Sequence, residues 1–227
     1  MNDWLGGTFV RELLASGFPA RSIRRHGTVN GCLSGVQVRR DIPAVVYKII
    51  GNLFMAVDGV VESPDKWSLS YWNDDIGNVV MGGTQNADAL LLGRVTYEGF
   101  AQAWPGRTDE DDPGAAFMNN IKKYVVSRTL TKVDWNNSTL LEGDMADSVR
   151  ELKESGNGEI AMSGSSTLVR SLLQLKLLDE LNLLVYPVIV GRGKRLAEGE
   201  GDHLPLELVR STAFDNGVIH QLYRPAS

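Results

Sequence analysis

The chain of 227 residues contains a single cysteine, Cys32. One thiol closes no intramolecular disulfide and builds no thiolate metal cluster. Its three histidines, His26, His203 and His220, stand far apart and form no ligand spacing, so a metal site would need the fold to assemble it. No apolar run reaches the length that crosses a bilayer. No long apolar stretch follows a basic start, as a signal peptide would require. A reducing cytoplasm is the simplest compartment. Positive charge is also in short supply: 23 Lys and Arg face 28 Asp and Glu, for a net charge of −5. No basic stripe runs through the body, which argues against nucleic acid as a partner. Neither composition nor hydropathy calls for a membrane.

What is present divides into two parts. Residues 1–43 carry Arg11, Arg21, Arg24, Arg25, Arg39 and Arg40 against Asp3, Glu12 and Asp41, and glycines interrupt every periodic segment. This stretch is expected to be an extension outside the fold and poorly ordered. Residues 44–227 are expected to form one domain. Its first strand runs from Val45 to about Met55 and is followed by an Asp58-Gly59 turn. Ser63–Trp72 is a polar loop bearing tryptophan. Asp74 or Asp75 caps a helix reaching about Gln85. Ala89–Leu92 is a short apolar run ending at Gly93, the pattern of a strand buried on both faces, and a helix follows. Further strands are expected at Lys122–Ser127, Thr139–Leu141, Glu159–Met162 and Leu181–Val190. Helices are expected over Met145–Ser155 and over LVRSLLQLKLL, the latter opened by Ser163-Gly164-Ser165-Ser166-Thr167. A closing hairpin, Leu206–Ser211 and Val218–Tyr223, turns at Asp215-Asn216-Gly217. Alternating strands and helices followed by a hairpin predict an α/β fold with a doubly wound mixed sheet, mostly parallel, with an antiparallel edge.

Three strand ends share one chemistry. Gly93-Arg94-Val95-Thr96, Ser127-Arg128-Thr129 and Ser163-Gly164-Ser165-Ser166-Thr167 each place small residues, hydroxyls or arginine after a strand. In open α/β sheets, ligands bind outside the carboxyl ends of the strands. Free N–H groups at a helix start, with arginine beside them, suit a phosphate. Taken singly, each stretch has a plainer reading: a solvated arginine at Arg94 or Arg128, ordinary helix capping at Ser165 to Thr167. Together they favour one extended, multiply charged ligand. Gly191-Arg192-Gly193-Lys194 is not the dinucleotide fingerprint, because no third glycine follows at the required spacing and no clear helix comes after it.

The stretches AVDGVV, ALLLGRVTYEGF, KYVVSRTL and SGSSTLVRSLLQLKLLDELNLLVYPVIVGRGKRL, in that order, resemble the dihydrofolate reductase-like family that includes the C-terminal reductase domain of the bacterial riboflavin enzyme. They cover most of residues 45–197. The resemblance implies NADPH as cofactor, with Gly93, Arg94 and Thr96 at its phosphates. It places Ser127 and Arg128 at the adenosine 2′-phosphate, and Gly164, Ser165, Ser166 and Thr167 at the pyrophosphate. It also points to a homodimer, for which the apolar run Leu181–Val190 and the late hairpin offer surface. Two departures stand out: Ser163-Gly164 replaces the paired glycines relatives often have, which bears on the backbone approach to the cofactor, and Ala56 stands where they often have serine, which removes a polar contact near the substrate.

The resulting expectation is a hydride transfer from NADPH to a small pterin-, pyrimidine- or flavin-precursor-like heterocycle. Asp58 is the acidic candidate, with a simple turn role as its alternative. Trp67 and Trp72 are candidates for a stacking wall, with core packing as theirs. A non-catalytic NADPH-binding protein is the rival class. A bifunctional enzyme with a zinc deaminase portion is the disfavoured third reading, since such a portion needs His/Cys ligands and a Glu, and residues 1–43 are short and hold only Cys32.

Overall fold

The computed structural model describes residues 46–110, 114–198 and 203–226. The expected extension over 1–43 lies outside the described residues. The described chain folds around an eight-stranded sheet in the order β4-β3-β2-β5-β1-β6-β8-β7. The strands are β1 (Tyr47–Ala56), β2 (Ala89–Gly93), β3 (Lys122–Val126), β4 (Ser138–Leu141), β5 (Gly158–Ser163), β6 (Glu180–Tyr186), β7 (Leu206–Ala213) and β8 (Ile219–Pro225). The first six run parallel, and β8 and β7 close the sheet antiparallel. The mixed α/β sheet expected from the sequence is the sheet observed.

Helices cover both faces. They are α1 (Asp74–Gln85), α2 (Arg94–Ala103), α3 (Ala115–Asn120), α4 (Met145–Glu154) and α5 (Ser166–Gln174), with two 3-10 turns, Pro64–Lys66 and Leu69–Tyr71, inside the polar loop. Alternation along each strand divides the core. Ala89 and Leu91 of β2 join Ile49, Leu53, Ile160 and Met162 in a cluster with Val149 and Leu152 of α4 and Leu168, Val169 and Leu172 of α5. Leu90 and Leu92 point the other way, into a cluster with Tyr97, Phe100 and Trp104 and with Trp135. Tyr97, Phe100 and Trp104 recur at helical spacing, which is why the segment after Gly93 packs as a helix. A third cluster joins Ile76 of α1 to Leu184, Tyr186 and Val218, with Phe54, Trp67, Tyr71 and Trp72 against it.

Local chemistry sets the boundaries. Asn73, rather than Asp74 or Asp75, caps α1: its Oδ1 accepts from the Ile76 N–H at 3.0 Å. Asp144 caps α4 by accepting from the Ala146 and Asp147 N–H groups. β6 stops at Tyr186 instead of continuing to Val190, because Pro187 has no N–H to give a ladder. The apolar run from Leu181 lies between β1 and β8 with Leu181, Leu183, Leu184 and Tyr186 buried. Its β6 part therefore offers little surface to a second copy, whereas Ile189 beyond it is 77% exposed and β7 has all eight residues exposed.

Lys123 is fully buried near the start of β3. Its ammonium donates to the carbonyls of Asn119 (3.2 Å), Ile121 (2.8 Å) and Asn136 (3.0 Å) and sits 4.1 Å above the Trp135 ring. Burial pushes its pKa down from 10.5 to about 8.

Candidate active site

The connection leaving β2 runs over one face of the sheet as α2, and the connection leaving β5, its neighbour, runs over the other as α5. That divergence opens a crevice at the carboxyl ends of the two strands. Both helices begin there without a side-chain cap. Gly93 stands at the N-cap of α2 and Ser165 at the N-cap of α5, and neither helix start receives a side-chain hydrogen bond. The two starts touch: a Cβ on Gly93 would lie 2.4 Å from Ser165 Oγ and 3.2 Å from Ser165 Cβ. Only glycine leaves room for this approach. Gly164 (φ 75°) and Ser165 (φ 61°) are both left-handed. For serine that conformation costs about 1–2 kcal/mol, and strain of this kind gathers where a loop is shaped for a ligand.

The other predicted residues are placed as follows. Arg94 opens α2 and pairs with Glu98 at 2.9 Å, both side chains about half exposed. Thr96 is buried in the first turn of α2. Ser166 starts α5, and Thr167 beside it is exposed. Ser127 Oγ accepts from the N–H groups of Thr129 (3.1 Å) and Leu130 (2.9 Å), closing the turn after β3. The Thr129 hydroxyl lies 3.5 Å from it, and either of the two can donate to the other. Arg128 is exposed on that turn. The parallel strands thus bring Gly93, Ser127 and Gly164 to one edge of the sheet. The capping role considered for Ser165 to Thr167 is not the one found at Ser165, whose hydroxyl faces Gly93 instead.

Asp58 lies in the turn after β1. Its Oδ2 accepts from the Gly191 N–H at 2.8 Å, and Arg195 Nη2 lies 3.9 Å away. Arg195 Nε donates to the Asp58 carbonyl at 3.1 Å. The Gly191 N–H holds this carboxyl below the usual carboxylate range, assisted by further backbone N–H groups and by Arg195 and opposed by burial. The carboxylate therefore anchors the loop over 191–195 and is ionised at neutral pH. Because its folded pKa is depressed, it stabilises the turn above the unfolded value of 3.8, and that stabilisation is lost as pH falls through the folded value. In an acid titration followed by circular dichroism, Asp58→Asn should be less stable than wild type at pH 7, and the gap should close only below pH 3.8, as pH falls through the depressed folded value. An unchanged gap at low pH would contradict the anchoring role.

Trp67 donates its indole N–H to the Glu62 carbonyl at 3.0 Å and meets Tyr186 edge-on at 5.5 Å. Trp72 packs into the same cluster, with part of its surface open. A groove of about 640 Å³ runs between α2 and the β3–β4 connection, lined by Tyr97, Glu98, Thr129, Lys132 and Trp135 among others. It abuts the Ser127-Arg128 turn but contains none of the predicted site residues.

Sequence reasoning passed over one arrangement. Asn52 of β1, Asn182 of β6 and His220 of β8 form a hydrogen-bonded row across the sheet. His220 Nε2 lies 3.1 Å from Asn182 Oδ1, Asn182 Nδ2 donates to Asn52 Oδ1 at 3.2 Å, and Asn52 Nδ2 donates to the Met162 carbonyl at 3.2 Å. Burial, then Arg210, lowers the pKa of His220. The Asn52 carbonyl accepts from the Gly164 N–H at 3.4 Å, so the row ends at the strained loop. The local signal was incomplete: Asn52 and Asn182 stand among apolar neighbours in β1 and β6, but His220 is followed directly by Gln221 in β8 and does not stand out.

A family model of the RibD C-terminal domain matches residues 47–220. The chain belongs to that family. The RibD C-terminal domain family is a reductase family on the dihydrofolate reductase-like fold, so the sequence resemblance holds for the folded body as a whole. Among curated relatives, YyaP of Bacillus subtilis (strain 168), an uncharacterized protein, is 27% identical over 181 residues, which is 78% of this chain and 94% of YyaP. Among solved structures, a Shewanella sp. PV-4 protein assigned to riboflavin biosynthesis superposes with a TM-score of 0.64 at 19% identity, covering 79% of this chain and 99% of its own. Dihydrofolate reductase of Enterococcus faecalis, solved with NADP(H), gives 0.53 at 13% identity, over 80% and 99% of the two chains. At these identities the likeness is one of fold.

Proposed function

We propose that this chain is an NADPH-dependent reductase, delivering a hydride to a small pterin-, pyrimidine- or flavin-precursor-like heterocycle, and that it works as a cytoplasmic homodimer. The observation that carries the reading is the meeting of two uncapped helix starts at the crevice between β2 and β5. Their free N–H groups and dipoles favour an anion. Gly93, Gly164, Ser165, Ser166 and Thr167 would hold the pyrophosphate, with Thr96 supporting the start of α2 from beneath. Ser127 would donate its hydroxyl, and Arg128 its guanidinium, to the 2′-phosphate. Arg94 reaches a phosphate by leaving Glu98, which costs little because an exposed pair is worth about 0–1 kcal/mol.

When bound, NADPH supplies the hydride. The protein has to orient the heterocycle and exclude water. Trp67 and Trp72 stand by the carboxyl end of β6, where a flat ring can stack. Asp58, ionised and tied to Gly191, is proposed to shape the substrate edge through the 191–195 loop.

Cofactor choice is the first test. A 2′-phosphate adds nearly two negative charges. A charge-assisted bond to Arg128 is worth roughly 1.5–3 kcal/mol, or on the order of ten- to a hundredfold in affinity. NADPH should bind that much more tightly than NADH. Arg128→Ala should abolish the preference and leave NADH binding unchanged, whereas Arg94→Ala should weaken both. Fluorescence titration of both cofactors measures this, and equal affinities in the wild type would refute the assignment. A screen of reducible heterocycles, read by NADPH absorbance, tests the chemistry. Tight NADPH binding with no turnover on any of them would favour the non-catalytic binder.

A further inference from the structure

Among the described residues, β7 forms the open end of the sheet, and every one of its residues is exposed. Leu206, Leu208 and Val209 are 37, 52 and 42% exposed, an unusual load of apolar surface for an unpaired edge. The strand also carries two opposite charges, Glu207 and Arg210. In a regular strand, residues three apart point to opposite faces. Here the ladder to β8 shifts register between Leu208 and Arg210. Glu207 therefore stands opposite Arg224, and Arg210 opposite Leu222, two residues apart on β8 and so on one face. Arg224 is already bound by Glu180 at 2.8 Å. Leu222 offers Arg210 no charge.

We infer that β7 pairs antiparallel with β7 of a second copy about a two-fold axis normal to the sheet, between Leu208 and Val209, so that each Glu207 stands opposite the other copy's Arg210. Such an axis needs residues equidistant from it to share a face, and the bulge supplies that condition for Glu207 and Arg210. Leu206 and Ser211, opposite Pro225 and Gln221 on β8, also share a face and meet across the same axis. The pairing covers the exposed leucines, satisfies the open backbone edge and sets unlike charges directly opposite, the arrangement that stabilises cross-strand pairs. A bulge and a charge on an edge ordinarily prevent sheet extension; in this register they direct it toward an identical strand.

The inference specifies the interface of the proposed homodimer and rests on that reading, not on the reductase chemistry. Sedimentation velocity of the full chain over a wide concentration series tests it. Wild type should dimerise. Glu207→Arg alone and Arg210→Glu alone should each weaken the dimer by roughly tenfold or more, because both symmetry-related pairs turn repulsive. The double reversal should restore it, and so should an equimolar mixture of the two single variants. NADPH affinity and near-ultraviolet circular dichroism should be unchanged throughout, since these positions are far from the cofactor edge. A wild type monomeric at every concentration would overturn both the homodimer and the edge. A dimer that keeps its affinity in both single variants, or that neither the double reversal nor the mixture restores, would overturn this edge alone.

Discussion

Gly93→Ala should weaken NADPH binding by about ten- to a hundredfold. The new methyl would lie 2.4 Å from Ser165 Oγ and 3.2 Å from its Cβ, well inside van der Waals contact. The Ser165 hydroxyl can turn away about χ1, but its Cβ is fixed to a backbone already left-handed at φ 61° between Gly164 and the first turn of α5 and yields only if the chain shifts. The methyl therefore pushes the two helix starts apart, and the N–H groups proposed to meet the pyrophosphate would no longer converge. Loss of one or two charge-assisted bonds, at roughly 1.5–3 kcal/mol each, sets the size of the effect. The forced contact should also lower stability by about 1–3 kcal/mol. Ser165→Gly is the companion variant. It removes both atoms in the way and relieves the left-handed strain, so Gly93→Ala with Ser165→Gly should recover most of the affinity and the stability. Isothermal titration with NADPH, and a thermal melt of each variant, measure both. A Gly93→Ala protein that binds like wild type would place the cofactor away from this crevice.

Lys123→Ala should lower stability by about 4 kcal/mol, a fall in Tm of roughly 8–16 °C for a domain of this size. Three contributions decide the sum. The carbonyls of Ile121 and Asn136 lose the ammonium donor, at about 1–3 kcal/mol each; the Asn119 carbonyl keeps a second donor, Asn136 Nδ2 at 2.9 Å. The vacated space beside Trp135 costs about 2–5 kcal/mol, as for other long side chains cut to alanine. Against these, relief of the buried charge returns at most about 3 kcal/mol, the equivalent of a pKa moved from 10.5 to about 8. The losses outweigh the gain. The same shift has a signature in pH. Between pH 8 and 10.5 the unfolded chain retains a proton on this amine that the folded chain has released. Wild-type stability should therefore rise with pH across that window, by up to about 1.4 kcal/mol per unit, and the variant should lack the rise. Denaturant unfolding at several pH values compares the two. Equal slopes in wild type and variant would show that the amine titrates elsewhere.

Much of the fold was legible because its signals are local. Ala89–Leu92 ending at Gly93 reads as a doubly buried strand from five residues alone, and Asn216-Gly217 announces the hairpin. The errors were also local competitions. Asn73 outcompeted two aspartates for the cap of α1, and Pro187 ended β6 early by withholding one N–H. The site was legible as types of residue at strand ends, but not as an arrangement. Ser127 reads as a phosphate contact, and its oxygen also closes its own turn. Ser165 reads as a cap, and it packs against Gly93, far along the chain. Asp58 reads as an acid, and it is tied to Gly191, whose position the sequence does not reveal.

The sequence by itself determined the alternation of strands and helices, the parallel sheet with its antiparallel end, and the three polar strand ends, since period, capping and turn chemistry act over a few residues. Only the tertiary structure decided which of those polar groups are free and which are occupied. The Gly191–Asp58 bond spans 133 residues and the Asn182–Asn52 bond 130. Contacts of that range depend on which strands become neighbours. The same holds for the face shared by Glu207 and Arg210, which a shift in the β7–β8 ladder creates and which the spacing of the two residues along the chain would deny.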